Sequence, residues 1–135
     1  MGSGNGVAAE AGRSRKKILV VDDSRTTLFM EQMILRRGPY DLVTASDGRE
    51  ALDKAVEERP DLILMDVVMP RMTGFEACRA IRERPETSQI PVILVTTRGE
   101  AENVETGFAS GCSDYVTKPI DAVELLAKVR NFVGD

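Results

Sequence analysis

The chain has 135 residues, of which 42% are hydrophobic and 30% charged, and a net charge of −4. That length suits one domain burying roughly 68–70% of its unfolded surface, the composition is far from that of a disordered chain, and the acidic balance gives no electrostatic reason to bind nucleic acid or an anionic membrane. Histidine is absent, and the two cysteines, Cys78 and Cys112, make neither a disulfide framework nor a zinc set, so His-based acid–base chemistry and soft metal sites are excluded.

No apolar stretch approaches the ~18 residues of a membrane span, and the N-terminus lacks the apolar core of a secretory signal. Membrane insertion is not expected, and the chain is predicted to be cytoplasmic. Residues 1–15 are rich in Gly, Ser, Ala and Asn without periodicity and read as a flexible tail, while residues 16–135 form the expected domain. The basic group Arg13, Arg15, Lys16 and Lys17 reads as a solvated lead-in.

A first strand is predicted at 17–22, where Ile18 to Val21 runs into Asp22 and Asp23. The helix after it closes at Gly38-Pro39, and a second strand follows at 41–45. Asp47 with Glu50 marks the next helix start, and Pro60 lies past its end. The third strand, 61–66, carries Leu62 to Met65 into Asp66. Thr73 with Glu76 has the form of a capping box, and Pro85 stops that helix. A fourth strand at 91–96 ends in Thr96, Thr97 with Glu100 marks a helix start, and Gly111 follows the helix. The last strand, 114–117, leads into Lys118-Pro119, an X–Pro bond whose weak trans preference permits a cis peptide. Asp121 with Glu124 opens the final helix. The stripes Ala101, Val104, Phe108 and Leu125, Val129, Phe132 are predicted to face the core. Cys78 reads as buried filler.

Five apolar runs alternating with five helices predict parallel βα units covered on both faces. The count fits a flavodoxin-like doubly wound α/β sheet of five parallel strands in the order 2-1-3-4-5, with functional groups outside the carboxyl ends of the strands. Three carboxylates, a hydroxyl and an ammonium then converge on one edge. Close carboxylates repel one another and either raise a pKa or recruit a cation. Oxygen-only ligands favour a hard ion, so Mg²⁺ is the expected cofactor.

These residues resemble the receiver domain of two-component response regulators. The marks, spread over about 16–134, are Val20-Val21-Asp22-Asp23, Asp66 with Met69-Pro70 and Gly74, Thr96, and Lys118-Pro119. The resemblance implies that Asp66 accepts a phosphoryl group from a phosphohistidine of a sensor histidine kinase or phosphotransfer protein. It implies that Asp23, Asp66 and the backbone carbonyl of Val68 ligate Mg²⁺, with Asp22 holding the ion mainly through water. Lys118 and Thr96 contact the phosphoryl group; beside them on the phosphate-binding edge this chain departs from the family, which commonly has a small residue where Thr97 stands, and its β-branched side chain is expected to narrow access. Thr96 and Tyr115 form the switch pair, and residues 98–134 form the face that signals to a downstream protein. Val68 and Arg98 flank the path of attacking water and are expected to tune hydrolysis. No enzymatic turnover beyond the domain's own phosphorylation and dephosphorylation is expected, and no direct contact with nucleic acid.

An aspartate-nucleophile phosphatase of the haloacid dehalogenase type is the alternative, but it seeks a second Asp where Val68 stands. A flavin-binding module would set its phosphate against Asp22 and Asp23, which repel it.

Overall fold

The computed structural model describes residues 15–97 and 101–134, with side chains described for all of these except 101–103. The elements alternate as β1 (Lys16–Val21), α1 (Arg25–Leu35), β2 (Tyr40–Ala45), α2 (Gly48–Glu58), β3 (Leu62–Asp66), α3 (Gly74–Glu83), β4 (Val92–Thr97), α4 (Ala101–Ala109), β5 (Asp114–Lys118) and α5 (Ala122–Val133). The strands form one parallel sheet in the order β2-β1-β3-β4-β5, as the alternation predicts.

Both sheet faces are covered, which explains why the central strands are continuously apolar. Side chains alternate across a strand, so β1 sends Leu19 and Val21 to one face and Ile18 and Val20 to the other. The first face packs against Ala51, Leu52 and Ala55 of α2 and Ala77, Cys78 and Ile81 of α3. The second packs against Leu35 of α1 and Leu125 and Val129 of α5. Cys78 is buried as expected, and burial pushes its thiol pKa up and that of Cys112 to about 11.

The predicted caps form at three helices. Asp47 accepts from the Glu50 amide at 2.8 Å, Asp121 accepts from Glu124 at 3.1 Å, and Thr73 and Glu76 complete a reciprocal capping box. The Thr97–Glu100 signal, like Arg98 and the N-terminal tail, falls on or reaches into residues outside those described. Ser24 caps α1 by accepting from the Thr27 amide at 3.2 Å, a signal that the sequence reading passed over.

The two apolar stripes need correction. Leu125 and Val129 are fully buried, but Phe132 is 38% exposed and Phe108 48% exposed. Among the α4 side-chain positions described, 104–109, the buried one is Gly107, where an added Cβ would come within 3.2 Å of Leu94 Cδ1. The helix lies close to the sheet through its glycine, and the neighbouring Phe108 is turned to the rim. It meets the ring of Tyr115 edge-on, with centroids 6.1 Å apart. Among the described residues no helix is long and apolar enough to cross a membrane.

Candidate functional site

Parallel pairing brings the strand ends together. Val21 lies opposite Met65 and Asp66 opposite Val95, while Thr96 pairs with Thr117 and Thr97 with Lys118. The chain beyond β1 stays tied to the sheet, because the Asp22 amide donates to the Ala45 carbonyl at 3.2 Å. After β3 the Val67 amide donates to the Val95 carbonyl at 3.0 Å. The turn then folds back so tightly that the Gly74 amide reaches the Val67 carbonyl at 2.8 Å, and a Cβ on Gly74 would stand 2.4 Å from the Asp66 carbonyl oxygen. Glycine is required there by close approach of backbone to backbone.

The result is an open acidic pocket of about 550 Å³ lined by Asp22, Asp23, Asp66, Val68, Thr97 and Lys118, among others. Carboxylate oxygens of Asp22, Asp23 and Asp66 lie within 4.8 Å of one another. Asp22 and Asp66 are buried and Asp23 is exposed. Asp22 Oδ1 accepts from the Ser24 amide at 2.8 Å, whereas its buried Oδ2 has no hydrogen-bond partner among the described residues. Burial raises the Asp22 pKa, the Ser24 amide opposes that, and the charge of Asp66 adds to it. Burial likewise raises the Asp66 pKa, with the Lys118 ammonium the main opposing influence. That ammonium lies 3.3 Å from Asp66 Oδ1.

An orphaned buried oxygen beside two further carboxylates is a donor set suited to a hard divalent cation, so these residues fit Mg²⁺. The other expected site residues are placed as follows. Val68 is 67% exposed at the pocket wall. Thr96 is buried at the end of β4, and it is Thr97 that lines the open pocket. Tyr115 sits on β5, half-buried, with Lys128 Nζ 4.9 Å from its ring centre. The Lys118–Pro119 bond is cis.

One buried acid was missed. Glu31 of α1 is 1% exposed, neither carboxylate oxygen has a hydrogen-bond partner among the described residues, and its pKa is pushed up to about 8. Burial is the main cause, the charges of Asp22 and Asp66 add to it, and Lys118 opposes it. Its spacing from Leu28 and Leu35 puts it on the inward helical face, and that period was the available signal.

The response regulator receiver domain family matches residues 18–130. The chain belongs to that family. Protein PilH of Pseudomonas aeruginosa is 39% identical over 114 residues, covering 84% of this chain and 94% of that protein. The alkaline phosphatase synthesis transcriptional regulatory protein PhoP of Bacillus subtilis is 42% identical over 115 residues, 85% of this chain, and the match spans 47% of PhoP. Among solved structures, the chemotaxis response regulator CheY4 of Vibrio cholerae superposes with a TM-score of 0.81 at 37% identity, covering 87% of this chain and 98% of that one. The receiver domain of the Pseudomonas aeruginosa sensor histidine kinase PA1611, with a magnesium ion coordinated in its active site cleft, gives 0.82 at 29% identity, covering 90% and 99%. Receiver domains are signalling modules that hold Mg²⁺ at an acidic pocket, and an acidic cluster of that kind is present here. The haloacid dehalogenase alternative finds no support in these matches.

Proposed function

We propose that this receiver domain takes a phosphoryl group on Asp66 from a phosphohistidine of a sensor histidine kinase or phosphotransfer protein. The observation that carries this reading is the ammonium of Lys118 held 3.3 Å from Asp66 Oδ1 at the wall of an open pocket. Phosphoryl transfer asks a protein mainly for positioning and charge neutralisation. An Asp66 carboxylate oxygen attacks phosphorus, the P–N bond to the donor imidazole breaks, and an aspartyl phosphate forms. Lys118 neutralises charge on the transferred oxygens, and the Thr96 and Thr97 hydroxyls donate to them. Asp22, Asp23 and Asp66 with the Val68 carbonyl would hold Mg²⁺, which supplies further neutralisation of phosphoryl charge.

The new dianion draws the Thr96 hydroxyl toward it, and Tyr115 repacks in response. Support for that route lies in the surroundings of the ring. Tyr115 is braced by Phe108 of α4 and by Lys128 of α5, and Lys128 also bridges Asp114 and Glu124 at 3.4 Å each. A change at β5 therefore reaches both flanking helices, and the α4–β5–α5 face meets the downstream protein. Exposed Val68 offers attacking water no hydrogen bond and slows loss of the phosphoryl group.

The test is incubation with Mg²⁺ and acetyl phosphate followed by intact mass. Wild type gains one phosphoryl group and Asp66→Asn gains none. An equal gain in both overturns the assignment.

A further inference from the structure

Glu31 takes no part in the proposed phosphoacceptor chemistry, yet its carboxyl group is buried with both oxygens unpartnered among the described residues. A carboxylate in that setting keeps a proton or takes a cation. Glu31 lines a cavity of about 170 Å³ with Thr27, Met30, Ile34, Lys118, Pro119 and Ile120. Among the described residues Lys118 is the one charged side chain there besides Glu31, and it also lines the acidic pocket. It is thus common to the linings of both, paired with Asp66 and sharing the smaller cavity with Glu31.

A divalent cation on Asp22, Asp23 and Asp66 would share Asp66 with the Lys118 ammonium, and like charges so close repel. Lysine carries its charge on a flexible four-carbon stem, so the ammonium can change cavities without a backbone shift. We propose that Glu31 is a second counter-ion for Lys118, receiving its ammonium when a cation occupies the acidic cluster and yielding it when a phosphoryl group arrives on Asp66. This rests on reading the cluster as a cation site. Glu31 touches neither the cation nor the phosphoryl group and is a positioning residue acting through Lys118. Arrival of the ammonium sends the carboxyl proton to solvent and leaves an ion pair in the cavity.

The experiment is a Mg²⁺ titration followed by amide NMR shifts of wild type, Glu31→Gln, Lys118→Met and the double variant. Glu31→Gln should weaken Mg²⁺ binding about five-fold when Lys118 is present, the scale of one unit charge acting through protein. With Lys118→Met the same change should cost less than about two-fold. An equal loss in both backgrounds reveals only a long-range field and overturns the proposal, as does no loss in either. If wild type shows no Mg²⁺-dependent shifts, the cation-site reading falls and this proposal with it. If Mg²⁺ binds but acetyl phosphate leaves Asp66 unlabelled, the phosphoacceptor reading alone falls, and the four titrations still decide the role of Glu31. Glu31→Leu, which suits the apolar cavity wall, replaces Glu31→Gln with the same expectations should the latter not fold.

Discussion

The Lys118 ammonium stands 3.3 Å from Asp66 Oδ1, joining a side chain 38% exposed to a carboxylate that is almost wholly buried. Because Lys118 is the chief influence holding the Asp66 pKa down against burial, its removal acts on the ionisation of Asp66 and, in the proposed phosphotransfer, also on the charge of the product. Lys118→Met should slow labelling by acetyl phosphate by a factor on the order of ten or more, read from the time course of intact mass. A rate within a factor of about two of wild type would remove Lys118 from the phosphate site.

Glu31 makes stability depend on pH with a definite sign. Its folded pKa of about 8 lies above the ordinary 4.5, so the folded state holds a proton that the unfolded chain has lost between those values. The Glu31 contribution is then full below pH 4.5 and is lost as pH rises toward 8, by on the order of 3 to 5 kcal/mol. Burial of Asp22 and Asp66 pushes in the same direction. Urea denaturation without divalent ions should show this decline for wild type and a shallower one for Glu31→Leu, with the variant more stable at pH 8. Parallel pH curves for the two proteins would contradict the account.

Gly74 tolerates no side chain where it is. Its added Cβ would meet the Asp66 carbonyl oxygen at 2.4 Å and the Val67 Cα at 2.9 Å, both backbone atoms. Gly74→Ala should cost about 2 to 4 kcal/mol of stability and displace the turn after Asp66. The checks are the denaturation midpoint and the labelling rate, which should fall together.

Val68 is 67% exposed beside the pocket, and on the function proposed above it sets the lifetime of the signal. Val68→Asn gives an attacking water a hydrogen-bond partner and should speed loss of the aspartyl phosphate several-fold, roughly what one hydrogen bond of about 1 kcal/mol supplies. Unchanged or slower decay after removal of donor would exclude this role.

The sequence by itself determined the order of elements and the direction of the sheet. Continuous runs such as Leu62 to Met65 require cover on both faces, and the caps at Asp47, Thr73 and Asp121 punctuate them locally, so every strand end carrying Asp22, Asp66, Thr96 or Lys118 was legible. These signals are short-range, carried by residues within a turn or two of each other. Only the tertiary structure decided the distances. It placed Thr97 rather than Thr96 at the open pocket wall, turned Phe108 and Phe132 outward, and put Lys118, the partner of Asp66, in the lining of the cavity that holds Glu31. Those outcomes depend on how closely a helix lies on the sheet and on which side chains from distant elements meet, and no local period encodes them. Glu31 shows the division most clearly: its helical spacing placed it inward, but its place beside Lys118 exists only once α1 and β5 are packed on one face.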